Sequence, residues 1–473
     1  MAKTFVGGRV RRLREERGLN QVDLARSLGI SPSYLNQIEH DSRPLTVPVL
    51  LKITETFGVD ASFFAAQDSA RLFAELREAL SSAEVSADDL RELATSRPEL
   101  AKAVIALHRR NQHLDEQLGL LAGDRAVESV IGAHERVRDF FYTYANHFPS
   151  LDDAAEQVAG VIGIRPGEVR AALTARLADK HGVHVRTMVG DVAHKGSAGE
   201  LHHFDPATRT LSLSLNMRPG QQAFRMATQI ALLEFGDSLD AIVRDSAEPE
   251  GPVRSLIRVG LARYAAAALV MPYRAFHETA ERLRYDIELL ADHFAMGFET
   301  ICHRLTTLQR PGARGVPFSF VRVDRAGNVS KRQSATGFHF SRAGGTCPLW
   351  SVYSAFSAPG RVITQVAAMP DGQRYFWVAR TVSRSRGGYA SPGKSFAVGL
   401  GCEIRHAGRL VYSAGTDLDD AAAATPIGPG CQTCDRPLCP QRSSPPIGKP
   451  LRVDENRSTF VPYPLQPFRE GSR

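Results

Sequence analysis

No stretch of this 473-residue sequence reaches the roughly 18 consecutive apolar residues that a membrane-spanning helix needs. The longest candidate, Tyr264 to Met271, is too short and predicts a buried helix. The first residues, Met-Ala-Lys-Thr-Phe, lack the apolar segment of a secretory signal peptide. We therefore expect a cytoplasmic protein with no membrane partner, and structural disulfides are not expected in that reducing compartment.

Cysteine is absent from most of the sequence. There are six cysteines, and five of them follow residue 340. In a cytoplasmic chain, clustered cysteines more often hold a metal or sense redox state than form disulfides. Cys302 stands apart in a helical pattern with Ile301, Leu305 and Leu308, so it is predicted to be a buried apolar side chain.

Length and charge bound the class of protein. A chain of 473 residues is too long for a single hydrophobic core and suggests about three domains. The formal net charge of +7 permits a polyanionic partner without establishing one. The first 66 residues hold 9 basic and 7 acidic side chains, a net charge of only +2. Nucleic-acid binding must therefore be inferred from a motif rather than from bulk charge.

Changes of hydrophobic period divide the sequence into four segments. Residues 1–66 alternate helical periods with polar breaks, and residues 67–150 predict a helical linker. Residues 151–310 hold predicted strands from Val183 onward and then helices, including a helical stretch from Arg274 to Gln309. Residues 311–473 are rich in strands and end in a Pro-, Gly- and Cys-rich tail. We predict a multidomain fold with an all-α N-terminal domain, the linker and two α+β domains.

Two short helices joined by a glycine turn are predicted near the N-terminus. Asn20 caps a helix from Gln21 to Leu28, and Gly29 supplies the turn. Ser31 then caps a helix from Pro32 to Glu39. This pattern resembles the Cro/C1-type, or XRE, helix-turn-helix family, in which the second helix lies in the DNA major groove. The alternative is a helical bundle that binds protein.

The resemblance places a set of candidate DNA contacts on and around the second helix. Asn36 and Gln37 suit bidentate contacts to adenine, and Gln21 at a helix N-terminus is placed for a phosphate contact. Arg43 follows the recognition helix and could also meet phosphate. The candidate DNA-binding residues are Gln21, Ser31, Ser33, Tyr34, Asn36, Gln37 and Arg43.

The middle segment resembles the ImmA/IrrE metallopeptidase family, in which a helix carries His-Glu-x-x-His. Thr228, Gln229 and Leu232 stand at the corresponding positions here, so neither a zinc ligand nor a general base remains. We therefore predict a degenerate, zincin-like domain without hydrolytic activity. Its former catalytic cleft is interpreted as a binding pocket, with a ligand-free scaffold as the alternative.

The C-terminal segment resembles the actinobacterial short-chain fatty-acyl regulators. The resemblance rests on Gly315-Val-Pro-Phe-Ser-Phe-Val-Arg-Val-Asp-Arg-Ala-Gly-Asn328, Lys331-Arg-Gln-Ser-Ala335, Gly344-Gly-Thr-Cys-Pro-Leu-Trp350 and the cysteine tail. It implies a non-enzymatic transcription regulator of acetate or short-chain fatty acid metabolism, that is, of the glyoxylate or methylcitrate cycle. It also implies a C-terminal sensor domain with an iron–sulfur cluster and a response to short-chain acyl-CoA or CoA.

The tail cysteines have the spacing Cys431-x2-Cys434-x4-Cys439 in a loop-rich segment. Such a loop lets thiolates converge, and the proline after Cys439 is also seen at ferredoxin ligands. The fourth ligand is predicted to be Cys402 or Cys347, or a non-cysteine side chain. Spacing alone does not separate zinc from iron–sulfur, and the family resemblance favours [4Fe–4S].

An acyl-CoA effector needs basic side chains for its phosphates and an apolar slot for its acyl chain. The candidates are Arg218, Arg225, Arg263, Arg274, Lys331 and Arg332, and the sequence does not choose among them.

The expected partners are a double-stranded DNA operator and a second copy of the chain. One helix-turn-helix covers only a few base pairs, so specific binding usually requires two half-sites. The helical segment from about Arg71 to Leu121 is the candidate dimer interface. Two competing functions remain. One is a metallopeptidase-type regulator, disfavoured by the missing His-Glu-x-x-His, and the other is a DNA-binding scaffold with structural zinc.

Overall fold

The computed structural model describes residues 7–40, 42–43, 45–57, 67–80, 85–121, 128–164, 167–188, 200–246, 248, 251–336, 338, 346–384, 393–446 and 451–464. The chain forms two compact units. The first contains Met1–Asp124, Gly337–Gly344 and Pro437–Arg473, and the second contains Arg125–Thr336 and Gly345–Arg436. The boundaries predicted after residues 66, 150 and 310 stay predictions.

Four short helices form the N-terminal bundle: α1 (Gly7–Glu16), α2 (Gln21–Leu28), α3 (Pro32–Glu39) and α4 (Val47–Phe57). Leu24, Leu28 and Leu35 are almost fully buried among them, because apolar residues recur at helical spacing on their inner faces. Gly29 ends α2 with a φ of 63°, a left-handed conformation that favours glycine. The helices predicted for this segment are confirmed.

Three further helices follow in the first unit: α5 (Gln67–Ala79), α6 (Ala87–Ser96) and α7 (Pro98–Leu121). They share a small apolar core made of Leu72, Phe73, Leu76, Leu90, Ala94, Ala101 and Ile105. This arrangement confirms that the segment is helical. Residues 81–84 of the predicted dimer interface lie outside the described residues.

Helices of the second unit surround its first sheet. They are α8 (Glu128–Thr143), α9 (Pro149–Ile162), α10 (Val169–His181), α11 (Pro219–Glu234), α12 (Gly236–Asp245), α13 (Pro252–Val270), α14 (Tyr273–Arg282), α15 (Ile287–His293) and α16 (Phe298–Leu305). The single helical stretch predicted from Arg274 to Gln309 is corrected to three short helices. The breaks coincide with positive φ at Arg284, Tyr285 and Ala295.

The first sheet has three strands, β1 (His184–Met188), β2 (His202–Asp205) and β3 (Thr210–Ser214), in the order β1-β3-β2. β2 and β3 form an antiparallel hairpin, whereas β1 pairs with β3 in parallel. The chain turns between them at Asp205, whose carboxylate accepts the Ala207 N–H at 2.9 Å and the Thr208 hydroxyl at 2.7 Å. This is an Asx-type turn, as Asp-Pro sequences favour.

The second sheet has six strands: β4 (Ser319–Val323), β5 (Val329–Ser334), β6 (Ile363–Ala368), β7 (Arg374–Arg384), β8 (Lys394–Glu403) and β9 (Thr425–Pro426). Their order is β5-β4-β8-β7-β6-β9, antiparallel except for the short parallel pair β6–β9. Two one-turn helices, α17 (Ser351–Ser354) and α18 (Ile404–Ala407), flank it. Phe320, Phe376 and Leu400 of this sheet belong to the same hydrophobic core as the preceding helices.

A buried ion pair links two helices of the second unit. The Arg304 guanidinium on α16 donates to the Asp152 carboxylate on α9 at 2.7 Å, and both residues have 0% exposure. The Tyr264 hydroxyl on α13 donates to the other carboxylate oxygen at 2.5 Å. Arg304 also donates to the Met271 carbonyl at 3.1 Å and to the Thr307 hydroxyl at 3.0 Å. Most of its buried N–H donors are therefore satisfied, as a buried charge requires.

No single helix within the described residues is both long and apolar enough to cross a membrane. α13 and α14 meet that criterion only together, with a bend of 64° between them. Both helices contribute side chains to the hydrophobic core of the second unit.

Candidate functional site

The helix-turn-helix presents a polar face on α3. Leu35 and Ile38 point into the bundle with 0% and 1% exposure, whereas Ser33 and Asn36 are exposed and Gln37 is half-buried. Because residues three or four apart share a helix face, the polar side chains lie opposite the core. This is the face that a recognition helix directs at base edges.

Hydrogen bonds fix the start of α2 against α3. The Gln21 amide donates to the Asn36 Oδ1 at 3.2 Å and to the Glu39 Oε2 at 2.7 Å. The Arg14 Nε donates to the Glu39 Oε1 at 2.7 Å. Glu39 is only 5% exposed, so it anchors both donors. The sequence did not indicate Arg14 and Glu39, because their role depends on a contact between helices 25 residues apart.

The remaining predicted DNA contacts surround this network. The Ser31 Oγ accepts the Tyr34 N–H at 3.2 Å and caps α3, so its hydroxyl has a structural partner. Tyr34 is half-buried, and the guanidinium carbon of the exposed Arg43 lies 5.7 Å from its ring centroid. A phenol and a guanidinium therefore flank the amides of Asn36 and Gln37.

A cluster of positive charges forms in the second unit. Arg225 of α11 and Arg263 of α13 interact electrostatically with each other, and Arg384 at the end of β7 also acts on Arg225. Burial, followed by the charges of Arg263 and Arg384, lowers the pKa of Arg225. Within the described residues, neither the Arg225 nor the Arg263 guanidinium has a hydrogen bond or ion pair. Arg225 is half-buried and Arg263 is exposed, so two neighbouring like charges without a counter-ion are accessible to an anionic ligand.

The Arg263 side chain is solvent-accessible, although burial lowers its pKa. Solvent reaches its guanidinium, so an anionic ligand can reach it too. His202 of β2 shares this environment. Its pKa is lowered by burial and then by the charges of Arg225 and Arg263. We call Arg225, Arg263, His202 and Arg384 the basic cluster.

Lys331 of β5 lies at the margin of the basic cluster. Burial lowers its pKa, the Glu299 carboxylate partly counters that effect, and Arg263 adds to the lowering. Its Nζ lies 3.4 Å from the Glu299 Oε1, which also accepts from Arg322 at 2.8 Å. One carboxylate therefore pairs with two basic side chains, and the net charge of these three groups stays positive.

The structure brings together some of the six predicted basic candidates and not others. Arg263 interacts electrostatically with both Arg225 and Lys331. Arg218 is an exposed residue at the start of α11, and Arg332 lies 3.6 Å from Glu135. Arg274 donates its backbone N–H to Glu156 at 2.7 Å. No hydrogen bond or ion pair within the described residues joins Arg218 or Arg274 to the basic cluster.

α11 carries Thr228, Gln229 and Leu232, the positions predicted to correspond to the His-Glu-x-x-His of the metallopeptidases. Thr228 and Gln229 are buried there, and the Thr228 hydroxyl donates to the Phe224 carbonyl at 2.7 Å. Leu232 packs against the hydrophobic core. None of these side chains supplies the imidazole or carboxylate ligands of such a site. Arg225 lies about one helical turn before Thr228 on the same helix. A cationic side chain therefore precedes the positions that correspond to the zinc ligands.

Three cysteines of the second unit lie close together. The thiol of Cys347 interacts electrostatically with Cys434 and Cys431, and it accepts the Leu349 and Gly428 N–H groups. Burial, more than those neighbouring sulfurs, raises the pKa of Cys347. Gly428 sits against Cys434, because a Cβ added there would lie 2.6 Å from the Cys434 Sγ. A glycine is therefore required where the chain wraps around the sulfurs.

The other cysteines differ in their surroundings. Cys402 lies on β8 opposite Phe376 with 0% exposure, and burial followed by the neighbouring Glu403 raises its pKa. Cys439 is half-buried, and the division between the two compact units falls at Pro437. Cys347, and not Cys402, therefore lies beside Cys431 and Cys434. In the described residues no three His, Cys, Asp or Glu side chains already form a metal-binding group.

Cys302 lies on α16 with 0% exposure among core side chains. Burial raises the pKa of its thiol well above the ordinary value. The structure thus confirms it as a buried apolar residue rather than a member of the cysteine group.

Comparison with known proteins places these features in one family. The chain is 53% identical to the HTH-type transcriptional regulator RamB of Mycobacterium tuberculosis, over 98% of this chain and 99% of that protein. The chain belongs to the family of RamB and related helix-turn-helix transcriptional regulators. Another relative is the HTH-type transcriptional regulator PrpR of Mycobacterium tuberculosis, 46% identical over 98% of this chain and 96% of that protein. The propionyl-CoA carboxylase regulator of Cereibacter sphaeroides is 39% identical over 98% and 99%.

Three family models match successive parts of this RamB-family chain. A helix-turn-helix model matches residues 10–64, an IrrE N-terminal-like domain matches residues 178–306, and the C-terminal model of short-chain fatty acyl coenzyme A regulators matches residues 307–463. These matches confirm the resemblances drawn from the sequence. A solved structure, a Mycobacterium tuberculosis transcriptional regulator, is 48% identical and covers 70% of this chain and 99% of its own, with a TM-score of 0.67.

Proposed function

We propose that this protein regulates transcription of acetate or short-chain fatty acid metabolism in the cytoplasm, by binding operator DNA in response to short-chain acyl-CoA. The observation that carries the proposal is the combination of a helix-turn-helix with the basic cluster in the same chain. The relatives include a regulator named for propionyl-CoA carboxylase, and one matching family model is named for short-chain fatty acyl coenzyme A. Binding of labelled promoter DNA, titrated with acetyl-CoA and propionyl-CoA, tests it directly.

The DNA contacts should reside on α3. Asn36→Ala or Gln37→Ala should weaken operator binding by about 1–3 kcal/mol and leave nonspecific binding nearly intact, because each removes one base contact. Arg43→Ala should instead weaken binding to all sequences, because it removes a phosphate contact. The slope of the logarithm of the binding constant against the logarithm of the salt concentration should fall in magnitude by about one. Fluorescence anisotropy with operator and scrambled duplexes at several salt concentrations measures both effects.

Asn216→Ala provides the matched control for these variants, because Asn216 is an exposed asparagine of the second unit. It should bind operator with wild-type affinity. If Asn36→Ala and Gln37→Ala both behave like the control, the recognition face assigned to α3 is wrong.

The acyl-CoA site is proposed at the basic cluster. CoA carries several negative charges on its phosphates, and guanidinium groups bind phosphate with two parallel hydrogen bonds. Arg225 and Arg263 have no such partner among the described residues, and they lie on α11 and α13, two helices of the middle domain's core. The zincin-like cleft would thus have exchanged a metal for an anionic ligand.

A [4Fe–4S] cluster is proposed at the C-terminal cysteines. Cys347, Cys431 and Cys434 provide thiols in one neighbourhood, and four residues separate Cys439 from Cys434 in the sequence. Thiolates are the usual ligands of such clusters, and cluster binding would require these thiols to lose their protons. When bound, the cluster would supply sensitivity to redox state. The cysteines that bind the cluster would also hold the loop around Gly428 in one conformation.

Cysteine substitution should decide the cofactor. After anaerobic purification, Cys431→Ser, Cys434→Ser and Cys347→Ser should give colourless protein with intact helical content, whereas Cys302→Ser and Cys402→Ser should keep the visible spectrum and the iron. Iron and zinc analysis of each variant, together with far-ultraviolet circular dichroism, measures this. Wild-type iron in the Cys431→Ser/Cys434→Ser variant would overturn the assignment, and stoichiometric zinc without iron would replace the cluster by a structural metal.

Dimerisation completes the proposal. Two half-sites one helical turn apart require two helix-turn-helix domains related by two-fold symmetry. The effector and the cluster would then act by changing the relative position of those domains. Such coupling is typically worth about 1–3 kcal/mol, or about 5- to 150-fold in DNA affinity.

A further inference from the structure

Helix α7 carries two apolar stripes, and its own chain covers the first of them. Ala101 and Ile105 are buried against α5 and α6, with 0% and 4% exposure. On the same side, the Arg109 guanidinium donates to Glu75 of α5 at 2.9 Å. These contacts fix which side of α7 faces its own chain.

The second stripe lies beside the first, and Val104, which packs against that core, borders both stripes. Leu100 is 50% exposed and Leu107 is 66% exposed, while Val104 between them is half-buried. Residues at spacings of four and three lie on one helix face, so the three form a continuous apolar strip. Leucines at this exposure in one strip expose apolar surface that a partner could bury.

The strip coincides with a seven-residue repeat in the sequence of α7. Leucine recurs at every seventh position, and the intermediate core positions hold Val104, Asn111 and Leu118. The leucines are Leu100, Leu107, Leu114 and Leu121. In heptad notation the leucines occupy d positions and the other three occupy a positions. Leucine at d with a β-branched residue at a favours two strands over three or four, and Val104 is the one β-branched residue among these a positions.

Asn111 decides between pairing modes. It is exposed on α7 and is the one polar residue at an a or d position between Leu100 and Leu121. A single asparagine at an a position specifies register and two-strand pairing at some cost in stability, because the two amides bond to each other only when they face each other. An asparagine in an otherwise apolar strip is therefore expected of a pairing helix.

Charges beside the strip are complementary in a parallel dimer. Arg110 occupies the g position that precedes Asn111, and Asp115 occupies the e position that follows Leu114. In parallel two-stranded coils, a g residue of one helix lies beside the e residue five positions later on its partner. Arg110 of each chain would therefore lie beside Asp115 of the other, giving two opposite-charge pairs.

We propose that α7 pairs with α7 of a second copy as a parallel two-stranded coiled coil from Leu100 to Leu121, with Asn111 setting its register. This coiled coil would explain how the proposed dimer forms. Its biological role rests on the proposed DNA-binding function, but its existence does not. Parallel pairing places the two preceding helix-turn-helix domains at the same end of the coil. A two-fold operator requires that arrangement.

The first test is Leu107→Glu, which would place two carboxylates in the apolar seam. We expect its dimer dissociation constant, measured by sedimentation equilibrium without DNA, to rise about 100-fold or more. Val161→Glu is the matched control, because Val161 is a 74% exposed apolar residue on α9 of the second unit. It should dimerise like wild type. Equal dimerisation of the two variants, with wild-type circular dichroism for both, would overturn the proposal.

The second test addresses direction. Arg110→Glu and Asp115→Arg each place like charges together in a parallel homodimer, but a mixture of the two chains restores an opposite-charge arrangement between them. Native mass spectrometry of the mixture should therefore show heterodimers well above the half expected from random pairing. Random pairing would refute the parallel register. Asn111→Val should in turn strengthen association and add species larger than dimers.

These outcomes separate the coil from the proposed function. If the coil is wrong, Leu107→Glu stays dimeric, or wild type is a monomer, whatever the operator affinity. If the DNA-binding function is wrong, wild type still dimerises through α7 but shows no preference for promoter DNA. Oligomeric state and DNA affinity are measured on the same full-length preparations.

Discussion

Arg263→Glu should abolish acyl-CoA binding while leaving the fold as stable as wild type. Arg263 and Arg225 interact without a counter-ion among the described residues, and burial lowers the pKa of both. A hydrogen bond to a charged group contributes about 1.5–3 kcal/mol, so loss of one phosphate contact alone lowers affinity by about 10- to 150-fold. A glutamate adds repulsion, so the expected loss exceeds about 100-fold.

The stability of this variant distinguishes a binding site from a structural ion pair. Removing one partner of a structural pair exposes the other as an unpaired charge and destabilises the protein. Removing one of two like charges instead relieves repulsion, so the free energy of unfolding should stay equal or rise. Isothermal titration with CoA and acetyl-CoA, beside thermal unfolding without ligand, measures both quantities.

Arg274→Glu is the control, because it makes the same change of charge at an exposed arginine outside the basic cluster. It should bind acyl-CoA within a few-fold of wild type. Its backbone N–H, which bonds to Glu156, is unaffected by the substitution. Equal loss of binding in Arg274→Glu would show that bulk charge, rather than the cluster, attracts the ligand.

The sequence predicted best where the determinant is local. Asn20 and Ser31 cap α2 and α3 through hydrogen bonds to residues three positions later, so the helix starts could be predicted directly. The break at Tyr285 could not, because it depends on distant contacts. Its hydroxyl donates to Glu281 at 2.5 Å and accepts the Val316 N–H at 2.8 Å, 31 residues away.

The binding residues show the same division. The sequence offers six basic candidates for the acyl-CoA site, but choosing among them requires knowing that α11, α13 and β5 converge. Likewise, spacing left Cys402 and Cys347 equivalent. Only the fold places Cys402 in the core of β8 and Cys347 beside Cys431 and Cys434. Long-range packing, which no local pattern encodes, supplied both distinctions.

Asp152→Ala should destabilise the protein strongly, with a loss of about 3–5 kcal/mol in the free energy of unfolding, because breaking a buried pair by removing one partner carries that cost. The substitution leaves the Arg304 guanidinium without its carboxylate at 0% exposure. It also removes the acceptor of the buried Tyr264 hydroxyl. Urea unfolding of the full-length protein, followed by tryptophan fluorescence and circular dichroism, measures the change.

The neighbouring residue provides the control. Asp153 also pairs with an arginine, Arg310 at 3.1 Å, but its side chain is 63% exposed. Exposed pairs contribute about 0–1 kcal/mol, so Asp153→Ala should barely change stability. The double variant Asp152→Leu/Arg304→Met should recover much of the loss, because apolar residues of similar volume often replace a buried pair without penalty. Equal effects of Asp152→Ala and Asp153→Ala would contradict the assigned role.

The same ion pair should also affect effector binding. Tyr264, held by Asp152, directly follows Arg263 on α13, so the carboxylate fixes the rotation of the helix that carries the basic cluster. Asp152→Asn retains a hydrogen-bond acceptor of nearly the same shape and should fold at low temperature. We expect Asp152→Asn to lower acyl-CoA affinity by several-fold, although Asp152 itself belongs to the core. The apolar double variant Asp152→Leu/Arg304→Met should lower this affinity further, despite its recovered stability. Affinity that followed stability across these variants would show that α13 needs only to be folded, and that its orientation does not depend on this pair.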